Sequence, residues 1–141
     1  MNGSLIADLR RIAGQSAVTM SEADEHVQLR ISRAQFSISV VVPKSVLEFS
    51  IDVCDLEGGL LVHDWLDYAG YDATPEPQLA EEMRVEVVTL VERLTVRNLR
   101  LVRGGRNSLE WQTGDRWLQA IPFVPDVERA VPADARKTSP G

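Results

Sequence analysis

Between Val27 and Val53 the chain alternates apolar and polar residues in three successive runs, and few folds accommodate that pattern. Val27, Leu29 and Ile31 are separated by Gln28 and Arg30. Phe36, Ile38, Val40 and Val42 alternate with Ser37 and Ser39, and Leu47, Phe49, Ile51 and Val53 with Glu48, Ser50 and Asp52. Successive side chains of a β-strand point to opposite faces, so a period of two gives each strand one apolar and one wet face. Strands of that kind belong to antiparallel sheets covered on one side only, because parallel sheets are buried on both. Pro43-Lys44-Ser45 breaks the second run from the third, and Asp55–Gly59 has the composition of a turn. Leu60–Tyr68 reads as a fourth strand whose alternation is too poor to assign an inner face.

Two segments have helical spacing instead. Leu5, Ile6, Leu9, Ile12 and Ala13 form one apolar stripe behind Ser4, a good N-cap, and Gly14 is a natural stop. Farther on, Leu79, Met83, Val87, Leu90 and Leu94 repeat every three or four residues, widened by Val88 and Val91. Thr74 is suited to the N-cap, Pro75 to the first helical position and Glu76 to the positive end of the helix dipole, while Arg93 and Arg97 suit its negative end. Residues 15–25 are polar and read as a loop. After the second helix, Leu99 and Leu101 start a strand, Gly104-Gly105 and Asn107 supply a hairpin loop, Leu109 and Trp111 share a face of the return strand, and Thr113-Gly114-Asp115 turns the chain into Trp117–Ile121.

The expected fold is therefore α+β: an antiparallel β-sheet of about five to seven strands with two amphipathic helices, about 4–14 and 75–97, in the order α-β(3-4)-α-β(2-3), the helices on one face. Residues 1–121 form a single domain in this reading, and 122–141, with Pro122, Pro125, Pro132 and Pro140, a flexible tail. This order of elements resembles that of small acidic secretion-chaperone folds, a likeness of pattern that carries no motif. A chain of 141 residues buries enough surface to fold without staples, and its single cysteine, Cys54, permits no internal disulfide. Met1–Ser16 carries arginines amid its apolar residues, and no apolar run reaches the roughly 20 residues of a membrane span. The expected location is the cytoplasm.

Net charge is −6, which disfavours membrane or direct nucleic-acid binding by the chain as a whole. The charge is segregated. Residues 48–92 hold twelve carboxylates and one base, Arg84, whereas 93–116 hold six arginines against Glu110 and Asp115. Either the two segments neutralise each other as neighbours, or a net acidic face is left to select a basic partner.

Signals for chemistry are weak. His63-Asp64-x-x-Asp67 has metal-like or acid–base residue types, but on a strand Asp64 points away from both His63 and Asp67, and His26 is the only other histidine. Cys54 falls on the wet face of its strand with nothing to activate it. Asp52, Asp55 and Glu57 lack the spacing and final ligand of a calcium loop, and Gly104-Gly105-Arg106 lacks the lysine and spacing of a phosphate loop. No catalytic residue, metal ligand or cofactor is assigned.

The more informative stretch is residues 63–72, where Trp65, Tyr68 and Tyr71 interleave with Asp64, Asp67 and Asp72. Trp and Tyr bury much area with few rotors and are favoured at interface centres, and the carboxylates could ring them with charge. Glu76, Glu81, Glu82 and Glu86 of the following helix extend the same expected surface. The expectation is a non-enzymatic acidic protein-binding module, such as a toxin-neutralising immunity protein or a secretion chaperone or adaptor, that occludes a basic protein. The competing expectation is a small ligand-binding or hydrolytic domain that uses His63 or the arginines of 93–106. A homodimer through an exposed sheet edge is the third possibility.

Overall fold

The alternating segments fold as a five-stranded antiparallel meander. The computed structural model describes residues 2–15, 17–69 and 74–123. Helix α1 (Gly3–Ile12) precedes strands β1 (Val18–Glu22), β2 (His26–Ser32), β3 (Phe36–Pro43), β4 (Glu48–Asp55) and β5 (Leu60–Asp67), which lie side by side in chain order. Helix α2 (Glu76–Val96) leads to β6 (Leu99–Val102), β7 (Ser108–Thr113) and β8 (Arg116–Ile121), a second antiparallel sheet. The fold is thus α+β with two helices, as the alternation and the helical stripes indicate. Strand number and grouping differ from expectation: among the described residues, eight strands divide into sheets of five and three. After β5 the chain leaves as α2, and β6 pairs with β7 instead of extending the first sheet. What meets the β5 backbone is a side chain of the β6–β7 loop, Asn107, whose Nδ2 donates to the Leu61 carbonyl at 3.1 Å.

The additional strand is β1, in the stretch that reads as a polar loop. Only Val18 is deeply buried there, with Met20 half-buried, because β1 is an outer strand paired on one side with β2. Two apolar residues in five are too few for periodicity to register. Helix boundaries also shift. Asn2, not Ser4, precedes α1, and its buried amide donates to the carbonyls of Pro43 and Val46 at 2.7 Å each, fixing the helix start to the β3–β4 loop. Pro75, rather than Thr74, occupies the position before α2 and accepts from the N–H groups of Gln78 and Leu79.

The apolar stripes meet in one core. Leu5, Ile6, Leu9 and Ile12 of α1, Met83, Val87, Leu90, Val91 and Leu94 of α2, the inward residues of β2–β5, and Leu109, Trp111, Leu118 and Ile121 of the second sheet are buried together. Of the tail expected from residue 122, Pro122 and Phe123 are described, and Phe123 packs edge-on against buried Phe49 with ring centroids 6.2 Å apart; the remainder lies outside the described residues. No helix among the described residues is long and apolar enough to cross a membrane.

Candidate functional site

Strand register decides which residues of β4 and β5 share the solvent face. Ile51 pairs with Asp64 and is fully buried, so the face that holds Val62, Asp64 and Leu66 is the inner one. The outer face carries three cross-strand pairs: Asp52 with His63, Ser50 with Trp65, and Glu48 with Asp67. Trp65 is 52% exposed, unusual for a side chain this large and apolar. His63 Nδ1 lies 2.5 Å from Asp52 Oδ1. Glu48 and Asp67 face each other as like charges, an arrangement that repels across a strand pair. The row continues from Ser50 to Val41 and Gln28 on β3 and β2, and from Asp52 to Ser39 and Arg30.

The described part of that stretch, residues 63–69, is therefore not one surface. Trp65 and Asp67 stand on the outer face, and Asp67 also accepts the Ala69 N–H at 2.8 Å. Asp64 points inward, where it accepts the backbone N–H of Phe123 at 2.6 Å and of Trp65 at 2.9 Å, so its role is to hold the chain after β8. Tyr68 turns back toward the core and stacks on Phe49, centroids 6.2 Å apart. Burial pushes its phenol well above the ordinary range, and the carboxylates of Glu86 and Glu82 raise it further. Those two glutamates thus flank the end of β5. Glu81 is engaged elsewhere: it pairs with Arg84, which also binds Asp8 of α1. Glu76 and Glu81 line a groove of about 560 Å³ between the N-terminal ends of the two helices. Tyr71 and Asp72 lie outside the described residues. Glu48 and Asp52 belong to the outer face but are not among the partner-binding residues expected from the sequence. Their parity within β4 marks them as wet, but only the register places them beside Trp65.

The arginines form a second site at the other end of α2. A groove of about 560 Å³ is lined by Arg33 and Gln35 of the β2–β3 turn, by Phe36 at the start of β3, by Arg97 and Asn98 after α2, and by Leu99, Arg100, Leu101 and Arg103 on and after β6. Each guanidinium is positioned differently. Arg33 Nη2 donates to the Leu94 carbonyl at the end of α2, where the helix dipole favours a cation. Its Nε is buried with no acceptor among the described residues, and burial lowers its pKa. Arg97 lies over the ring of Trp111 at 5.4 Å and donates to Thr113 Oγ1 at 3.0 Å. Arg93 shares that ring at 5.7 Å. Burial, and then the Arg93 charge, depress the Arg97 pKa. Arg100 stacks on Trp117 at 4.3 Å and pairs with buried Glu110 at 2.8 Å. The sequence shows the arginine series but not Arg33, which is brought in from 61 residues away by the packing of a β-turn against a helix end.

Arg84 pairs with Glu81 of its own helix and with Asp8 of α1, and Arg100 with Glu110 of the neighbouring strand. His63 lines neither groove, and the described residues contain no group of three or more His, Cys, Asp or Glu placed to hold a metal ion. No protein-family model, curated protein or solved structure matches this chain.

Proposed function

We propose that the chain is a non-enzymatic protein-binding module, of the kind represented by immunity proteins and chaperones or adaptors, whose outer sheet face takes a basic partner. The observation that carries this reading is Trp65, 52% exposed on a strand face beside Glu48, Asp52 and Asp67. An indole left in water on a rigid sheet needs little ordering when a partner covers it. The carboxylates around it steer a cationic surface toward it and repel an anionic one. Tyr68, Glu82 and Glu86 would form the rim where β5 ends.

The test is recovery of a partner by the tagged protein from lysate of its native cells across a salt series. The expected result is one basic protein bound stoichiometrically at low salt, released as salt rises, and lost with Trp65→Ala or with the charge reversal Asp67→Lys. Affinity unchanged by both substitutions would remove this face from the account.

The arginine groove favours a second reading, that of a ligand-binding domain, and it concerns a different part of the surface.

A further inference from the structure

We infer that the groove between the β2–β3 turn and the C-terminal end of α2 binds a phosphorylated small molecule, its phosphate taken by guanidiniums of Arg33, Arg97, Arg100 and Arg103. The inference is independent of the acidic face.

Four arginines line this one groove. Gathering like charges in partly buried surroundings is unfavourable unless an anion or a π-system compensates. Glu110 neutralises Arg100, and the indoles of Trp111 and Trp117 receive Arg97 and Arg100. These contacts also fix the guanidinium planes, so a ligand would not have to immobilise long side chains itself. Arg33 lines the groove with its Nε buried and its Nη2 bonded to the Leu94 carbonyl. Its bond to Leu94 O holds the guanidinium against the helix end and offsets the negative end of the dipole, which would otherwise oppose an anion. Arg103 is exposed at the margin.

Guanidinium forks match the oxygens of a phosphate and bind it in bidentate fashion, and a dianion suits several of them better than a single carboxylate does. The groove, about 560 Å³, falls within the range of small-molecule pockets and is far larger than phosphate alone requires. Phe36, Leu99 and Leu101 give it apolar walls for an organic body. The net acidity of the chain opposes the approach of a long polyanion, so a small ligand is favoured over nucleic acid.

Titration calorimetry and thermal unfolding with AMP, glucose 6-phosphate, phosphoserine and inorganic phosphate test the inference, with adenosine, glucose and serine as uncharged-headgroup controls and citrate as a carboxylate arm. At least one phosphomonoester is expected to bind saturably and raise the Tm with concentration, while its parent compound does neither. Arg103→Glu, at an exposed position, is expected to weaken binding by about tenfold or more with the Tm of the unliganded protein unchanged. Arg33→Lys keeps the charge but loses the fork, and is expected to weaken binding with an unchanged circular dichroism spectrum. Trp65→Ala should leave binding intact. Saturable binding by no phosphomonoester, binding of citrate alone, binding of a single-stranded oligoribonucleotide without any monophosphate, or undiminished affinity in Arg103→Glu would each overturn the proposal.

Discussion

On the outer face of the five-stranded sheet, carboxylates project from alternate residues into water around an indole that is itself half in water. At the end of α2 the arrangement is inverted: Trp111 is covered, being 2% exposed, Trp117 is half-buried, and the charged groups lie over these indoles or against backbone carbonyls. The first arrangement costs the fold little, since wet-face residues of an antiparallel strand are free to be polar. Its electrostatics are screened within about 8–10 Å at ordinary salt, so it acts on encounter more than on residence. The second arrangement is part of the core. Its charges are held in place, partly desolvated and less screened, which suits recognition of a fixed ligand. The same residue type, tryptophan, therefore does opposite work in the two regions, and the side that water occupies decides which.

Substitution of the two tryptophans should break this symmetry most visibly. Trp111→Ala empties a buried site and is expected to destabilise by roughly 3–5 kcal/mol, whereas Trp65→Ala should stay within about 0.5 kcal/mol. Urea unfolding of both variants decides the matter; similar losses would mean that Trp65 is packed and not presented.

A smaller contrast separates the two faces of β5. Asp64→Ala leaves the Phe123 and Trp65 N–H groups without their acceptor and is expected to cost about 1–3 kcal/mol. Asp67→Ala, on the outer face, should cost less than about 1 kcal/mol. Equal costs would place Asp64 outside the core and return it to the acidic face.

The smallest effect is one of pH. Burial holds the Tyr68 phenol protonated beyond its ordinary range, with Glu86 and Glu82 adding to the shift. Because the folded value lies above the unfolded one, the associated stability is fully present below about pH 10 and is lost as pH rises past it, when the unfolded chain ionises first. The Tm of the native protein is expected to fall more steeply above that pH than the Tm of Tyr68→Phe. Parallel declines would show that the phenol is solvated and that the rim at the end of β5 is looser than drawn.

Much of the fold is legible in the chain because its signals are local. The alternation of 27–53 marks β2, β3 and β4, the stripes of α1 and α2 mark their buried faces, and Gly104, Gly105 and Gly114 adopt positive φ where the turns were expected. β1 was not legible, because an outer strand with one deeply buried residue carries almost no period. Nor was the inner face of β5. Leu61 and Trp65 are as apolar as Leu66, and the strand reads inward through Val62, Asp64 and Leu66 only because Ile51 faces Asp64.

The candidate sites divide in the same way. The clustering of carboxylates in 48–92 and of arginines in 93–116 is a property of the sequence alone, as is the wet parity of Glu48 and Asp52. That Trp65 faces water beside them, that Asp64 does not, and that Arg33 joins Arg97 and Arg100 in one groove were decided by strand register and by the packing of the β2–β3 turn against the end of α2. Periodicity is a one-dimensional record of which residues a strand or helix hides. Which residues end up beside one another depends on contacts between segments far apart in the chain, and those are fixed only when the apolar faces close on a common core.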